Sequence, residues 1–122
     1  WLDHALNDRR GANLCLNGHY LGALNDYSKV LEWLNKKEES SVYKQKAAVL
    51  RENLEGLWDS ERGLFADALI DGEISNQFSE HGNAMALALD YFKEDSGVAT
   101  RQGIHGRLGT QIWSPYDYDR RR

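Results

Sequence analysis

The architecture turns on residues 18–37, GHYLGALNDYSKVLEWLNKK. Tyr20, Ala23, Leu24, Tyr27, Val30, Leu31 and Leu34 recur at steps of three and four, which sets them on one face of an amphipathic helix. Asn25, Asp26, Lys29 and Glu32 fall mostly on the other side. The polar run Asn35 to Ser41 interrupts the period, and Ser40 or Ser41 is the expected N-cap of a second helix. From Val42 the period resumes, with Tyr43, Ala47, Leu50, Leu54 and Leu57 on a shared face. Two amphipathic helices joined by a short polar link predict an antiparallel helical hairpin ending near Trp58. Trp33 and Trp58 are expected in its core.

Outward from this hairpin the pattern changes. Asp59-Ser60-Glu61-Arg62-Gly63 reads as a turn, because Asp bonds the backbone ahead of it and Gly supplies a positive φ. Asp71-Gly72, between Leu64–Ile70 and Glu73–Phe78, predicts a two-residue β-hairpin turn. Ser79 is the expected N-cap of a third helix, and Glu80 suits the positive end of its dipole. Ala84 to Phe92 is apolar nearly all round, so this helix is expected to be surrounded by others. Beyond Asp95 four glycines and the only proline, Pro115, predict mostly irregular structure, with a weak helix near residues 98–102. The expected division is 1–95 as the folded unit and 96–122 as a glycine-rich tail. Trp113, Tyr116 and Tyr118 are available to dock that tail onto the body.

Composition excludes several function classes. The chain has 122 residues, 15 Lys+Arg against 19 Asp+Glu and a net charge of −4, so nothing general attracts it to a phosphate backbone, and no nucleic-acid partner is expected. Hydrophobic residues at 41% and charged residues at 28% are ordinary globular values, which argues against disorder. The longest apolar run, Ala84 to Leu89, is too short to cross a bilayer, so no membrane partner is expected. Cys15 is the only cysteine, and His4, His19, His81 and His105 are scattered, so neither a disulfide nor a zinc signature exists. The sixth residue of a would-be calcium loop starting at Asp59 is Leu64, where glycine is needed. No phosphate loop, dinucleotide fingerprint or nucleophile elbow is present, and no cofactor is called for. A single cysteine and no visible leader suit the bacterial cytoplasm without assigning it. The first residue is Trp1, not Met, which suggests a processed or excised piece.

Carboxylates are plentiful, which leaves glycoside hydrolysis chemically open, since that reaction needs an acid and a second carboxylate across the sugar ring. Asp3, Asp67, Asp71 and Glu80 are candidates by type. Each of the last three also has a structural reading: Asp67 as a hairpin polar position, Asp71 as turn chemistry, Glu80 as a dipole partner.

A larger block carries a family resemblance. Trp1-Leu2-Asp3, then Asn17, Tyr20, Ala23 and Leu24, lead through the helical hairpin to Leu57-Trp58-Asp59 and Gly63-Leu64-Phe65. Asp67, Asp71-Gly72 and the segment Gln77-Phe78-Ser79-Glu80-His81-Gly82-Asn83-Ala84-Met85-Ala86 follow. This order resembles the later half of the catalytic domain of bacterial α-L-rhamnosidase-like glycoside hydrolases, over about residues 1–94. The Trp-Asp turn is shared loosely with other six-hairpin glycosidases, and the Gln77–Ala84 segment is the more specific piece. Glu80 stands where the family usually has Gln.

The resemblance implies an all-α fold, helical hairpins forming part of an (α/α)6 toroid, with a small β-hairpin near residues 64–78. It implies a rhamnoside-type carbohydrate substrate for the parent enzyme, cleaved with inversion. Residues just before an inner helix would face the sugar, which nominates Gln77, Ser79, Glu80, His81 and Asn83. Trp1 would offer an aromatic face to the ring and Asp3 would bind hydroxyls. His81 and Asn83 have an equal alternative as residues that cap and brace the hairpin. The family's acidic upstream segment and its downstream Trp-Glu segment have no counterpart, since Glu32-Trp33 has the reverse order within a helix. No catalytic residue is therefore carried over, and the chain alone is expected to be inactive. Helices cut from a toroid would expose apolar faces, so self-association is expected.

The alternative is a non-catalytic binding module. Gly18-His19-Tyr20, Ala23, Tyr27, Val30 and Leu31 also resemble the second helix of a tetratricopeptide unit. One repeat length further on, Tyr20 maps to Leu54 and Ala23 to Leu57, followed by Trp58-Asp59, so the pattern does not recur.

Overall fold

The first helix does not begin where the period begins. In the computed structural model, which describes residues 7–90 together with Gln102 and Ile104, α1 spans Leu14–Trp33. Asn13 caps it: its Oδ1 accepts from the Leu16 amide at 3.0 Å, satisfying one of the orphan donors of the first turn. The amide of Leu14 donates instead to the Asp67 carbonyl at 2.7 Å, a partner more than fifty positions away. Trp1, Asp3 and, apart from Gln102 and Ile104, the expected tail lie outside the described residues.

The helix ends at a left-handed residue. Asn35, at φ 58°, donates its amide to Glu32, and the amide of Lys36 reaches back to the Leu31 carbonyl at 2.8 Å. This is a Schellman arrangement with Asn in the place usually held by glycine. It reverses the chain within three residues, so α2, Lys37–Glu55, starts before the expected Ser40 or Ser41 cap. Glu38 and Glu39 in its first turn complement the positive end of the dipole in place of a side-chain cap. Ser40 has another task. Buried to 1% exposure, its hydroxyl donates to the Ser28 carbonyl of α1 at 2.9 Å and ties the two helices where small residues let them approach.

The hairpin is antiparallel as expected, but α1 is rotated. Its buried face is Leu14, Cys15, Gly18, Leu21, Leu24, Ser28 and Leu31. Of the expected core face only Leu24 and Leu31 are buried, while Tyr20, Ala23, Tyr27, Val30 and Leu34 are exposed. Trp33 is 81% exposed, not in the core, and Trp58 is half-buried with its ring edge against Phe65 at 5.0 Å. The reason is that α1 carries two apolar stripes, and the core takes the one holding the small residues Gly18 and Ser28. On α2 the expected face holds: Ala47 and Leu54 are buried and Tyr43 and Leu50 half-buried.

The single hairpin expected over residues 64–78 is two. β2 (Trp58–Asp59) pairs antiparallel with β3 (Leu64–Phe65) around the Asp59 turn. β4 (Ala68–Ile70) pairs with β5 (Glu73–Ile74), Ile70 opposite Glu73, across Asp71 and Gly72. Both turn residues have positive φ, 51° and 87°, the type I′ geometry whose twist matches that of the strands. β1 (Ala12–Asn13) adds to the far side of β4, giving the order β1-β4-β5.

The third helix, α3 (Glu80–Leu89), starts at its expected cap, Ser79. It is not fully surrounded among the described residues: Ala86 is buried, but Ala84 and Ala88 are exposed. The core gathers Leu14, Leu21 and Leu24 of α1, Leu54 of α2, Phe65 and Ala86, and Ile104 joins it fully buried. The described fold is thus mainly helical with a small antiparallel sheet, and no helix in it is long and apolar enough to cross a membrane.

Asn35→Val is expected to lower the unfolding free energy by about 1–2 kcal/mol, since a β-branched residue resists the left-handed region. Asn35→Gly should leave stability equal or higher. Urea unfolding curves read both, and equal losses in the two variants would contradict the cap.

Candidate functional site

Of the polar residues nominated from sequence, Asp67 and Ser79 meet in a buried knot built on Asp67. This residue follows β3 and is fully buried. Its Oδ1 accepts from the Ser79 amide at 2.8 Å and its Oδ2 from the Asp8 amide at 3.2 Å. Its backbone takes two more partners, donating to the Gln77 carbonyl and accepting from Leu14. One residue thereby joins the N-terminal segment, the start of α1, the exit of β5 and the cap of α3. A buried carboxylate needs such donors, because an unpaired one would carry the full cost of lost hydration.

Further polar groups close around it. Ser79 Oγ accepts from the Gly82 amide at 3.0 Å and from Asn7 Nδ2 at 2.9 Å. Asn13 Nδ2 donates to Asn7 Oδ1 and to the Asp8 carbonyl. Gly82 admits no side chain without adjustment: a Cβ there would lie 2.9 Å from Leu14 Cδ2 and 3.3 Å from Asp67 Oδ1.

Asp8 is the outer member. Its carboxylate receives the Arg10 guanidinium at 2.9 and 2.8 Å and the Ser75 hydroxyl at 2.9 Å. The Arg10 hydrogen bonds outweigh the burial that opposes them and, with Ser75, hold the carboxyl far below the usual carboxylate range. The Cys15 thiol behaves oppositely. Burial, and then the charge of Asp67, push it up to about 11, so it stays protonated and unreactive.

The nominated residues separate into two groups. Gln77 and Glu80 are exposed and His81 half-buried, all at the N-terminal end of α3. Asn83 is fully buried, with Oδ1 accepting from the Phe65 amide at 2.8 Å and Nδ2 donating to the Phe65 and Ser79 carbonyls at 3.0 Å each. It pins β3 to α3, and Ser79 is held equally firmly as the cap. Trp1 and Asp3 lie outside the described residues. Beside the exposed group, Arg62 lies over the Phe78 ring at 4.8 Å and pairs with Asp59 at 2.7 Å. Asp59 also accepts from the amides of Glu61 and Arg62, and those bonds lower its pKa, the backbone bond from Arg62 first. The turn is thereby fixed against the segment that leads into α3.

Asp67 spends both oxygens on amides, Asp71 sits in its turn, and Glu80 is the exposed carboxylate of the rim. No group of three His, Cys, Asp or Glu among the described residues is placed to hold a metal ion. Sequence reasoning missed Asn7, Asp8, Asn13 and Ser75. Asn13 ahead of Leu14-Cys15-Leu16 carried a cap signal, whereas the bonds of Asp8 to Ser75 and Asp67 span about sixty positions and leave no local trace. No protein-family model matches the chain, and no curated protein matches its sequence.

Asp67→Ala strands the amides of Ser79 and Asp8 and is expected to cost about 3 kcal/mol or more, with Asp67→Asn losing less because one acceptor remains. An alanine variant as stable as the wild type in urea would refute the knot. Asp8 adds a pH signature. A carboxyl lowered by folding contributes stability that is complete above its unfolded pKa and is lost as pH falls toward its folded one. The stability gap between wild type and Asp8→Asn should therefore be widest at neutral pH and narrow below about pH 4. A gap of constant size from pH 7 to pH 3 would contradict this.

Proposed function

We propose that this chain is part of a helical-hairpin glycosidase of the α-L-rhamnosidase-like kind, contributing a sugar-contacting rim rather than the catalytic pair. The α1–α2 hairpin would be one unit of an (α/α)6 toroid and α3 an inner helix whose N-terminal end faces the sugar. The observation that carries this reading is the Gln77–Asn83 segment. Its inward side, Ser79 and Asn83, is locked to Asp67 and Phe65, and its outward side carries Gln77 and Glu80 exposed and His81 half-buried. Rigid support beneath exposed polar side chains suits hydroxyl recognition, because an ordered donor set loses little entropy on binding. Trp1 and Asp3 would complete the contacts. With no catalytic pair among its residues, the chain would not turn over substrate by itself.

The second reading is a non-catalytic helical-hairpin binding module. A specific feature favours it: most of the expected core face of α1 is exposed, and its Tyr20 borders an apolar groove shared with α2.

Amide NMR of the chain titrated with L-rhamnose tests the first reading. Shifts centred on Gln77, Glu80 and His81, larger than those from glucose, are expected. Absence of shifts, or shifts confined to the hairpin, would overturn it. Turnover of an aryl α-L-rhamnoside by the isolated chain would overturn the inactivity.

A further inference from the structure

We propose that the groove between α1 and α2 seats a partner helix whose apolar stripe is flanked by acidic side chains. This deepens the binding-module reading and rests on it, and it is independent of the sugar-contacting rim.

The spacing of the exposed residues carries the argument. Along α1, Leu16, Tyr20, Ala23, Tyr27, Val30 and Leu34 follow one another at steps of 4, 3, 4, 3 and 4, and all are exposed. That is the alternation of a coiled-coil seam, the pattern by which one helix presents apolar side chains to another. On α2, Val42, Lys46, Val49 and Asn53 follow at steps of 4, 3 and 4, again exposed. Tyr20 of the first row and all four residues of the second line one groove of about 510 Å³. Tyr27 closes the rows together, edge-on to Tyr43 of α2 at 4.7 Å. Two antiparallel helices leave between them a trough, lined also by Leu24 and Leu50, that a third helix fills at ordinary interhelical distance.

Charge selects the occupant. The chain is acidic overall, yet among the described residues lining the groove Lys46 alone is charged. Its ammonium lies over the Tyr43 ring at 5.1 Å and meets no carboxylate among the described residues. Lys44 on the outer side is paired with Glu32. A carboxylate beside the seam of an incoming helix would therefore find an available cation. A second copy of this chain, groove to groove, would set the same lysine on both sides of the seam, which like-charge repulsion disfavours.

The test uses the whole chain and two synthetic amphipathic helices about three heptads long, with Leu and Ile at the seam and either Glu or Lys beside it. Fluorescence anisotropy should show the Glu-flanked peptide binding about threefold tighter than the Lys-flanked one, the size expected for a partly exposed ion pair. Lys46→Glu should reverse that preference. Val49→Glu, at an exposed position that leaves the fold intact by circular dichroism, should weaken both peptides about tenfold by placing a charge against the seam. Equal binding of both peptides, unchanged by Lys46→Glu, would overturn the acidic partner while sparing the binding module. Binding of neither would overturn both. A dimer in light scattering that Val49→Glu disperses would overturn the proposal in favour of a second copy.

Discussion

A carboxylate that water cannot reach holds the described fold together. Asp67 lies where four segments converge, and each needs something from it: Ser79 and Asp8 an acceptor for a buried amide, Leu14 a carbonyl at the head of α1, Gln77 a donor at the end of β5. An anion in this position is tolerated because donors surround it. In return it fixes where α1 begins and where α3 begins, so the two helices meet with Gly82 close against Leu14. The rim of Gln77, Glu80 and the half-buried His81 inherits its position from that buried geometry.

What the sequence revealed and what it hid divide along the distance of the interactions involved. The Asp59 turn, the Asp71-Gly72 turn and the Ser79 cap are set within a few residues, and each stands where local chemistry places it. The limits of α1 and α2 were obscured because their determinants are less direct. Leu14 is capped by the Asp67 carbonyl, and Asn35 performs a reversal usually assigned to glycine. The orientation of α1 was undecidable from periodicity alone. Two apolar stripes share the helix, and the choice between them depends on Ser28 meeting Ser40 of α2 closely, a matter of packing rather than hydropathy. Asn83 could be read as brace or ligand from its position in the chain, and its burial against Phe65 answers how its amide is used.

These two stripes shape both functional readings. The inner one builds a core, and the outer one, with the groove of α2, offers a face of unusual apolarity for a mildly acidic chain. A ring of hairpins would cover it from one side, as would a single partner helix. The rim at α3 is chemically different, with an exposed amide and carboxylate, a half-buried imidazole and a cation stacked on Phe78 nearby. The two regions are separate surfaces of one fold.

The central claim is that the Asp67 knot is part of the global folding unit rather than a locally fraying cluster of loops. Native-state hydrogen exchange of the Asp8, Phe65, Ser79, Gly82 and Asn83 amides tests it most directly. The account predicts that these amides exchange only through global unfolding, with the same opening free energy as the Leu21 and Leu24 amides at the centre of α1. Exchange by local opening, with those amides released well before the core of α1, would contradict it.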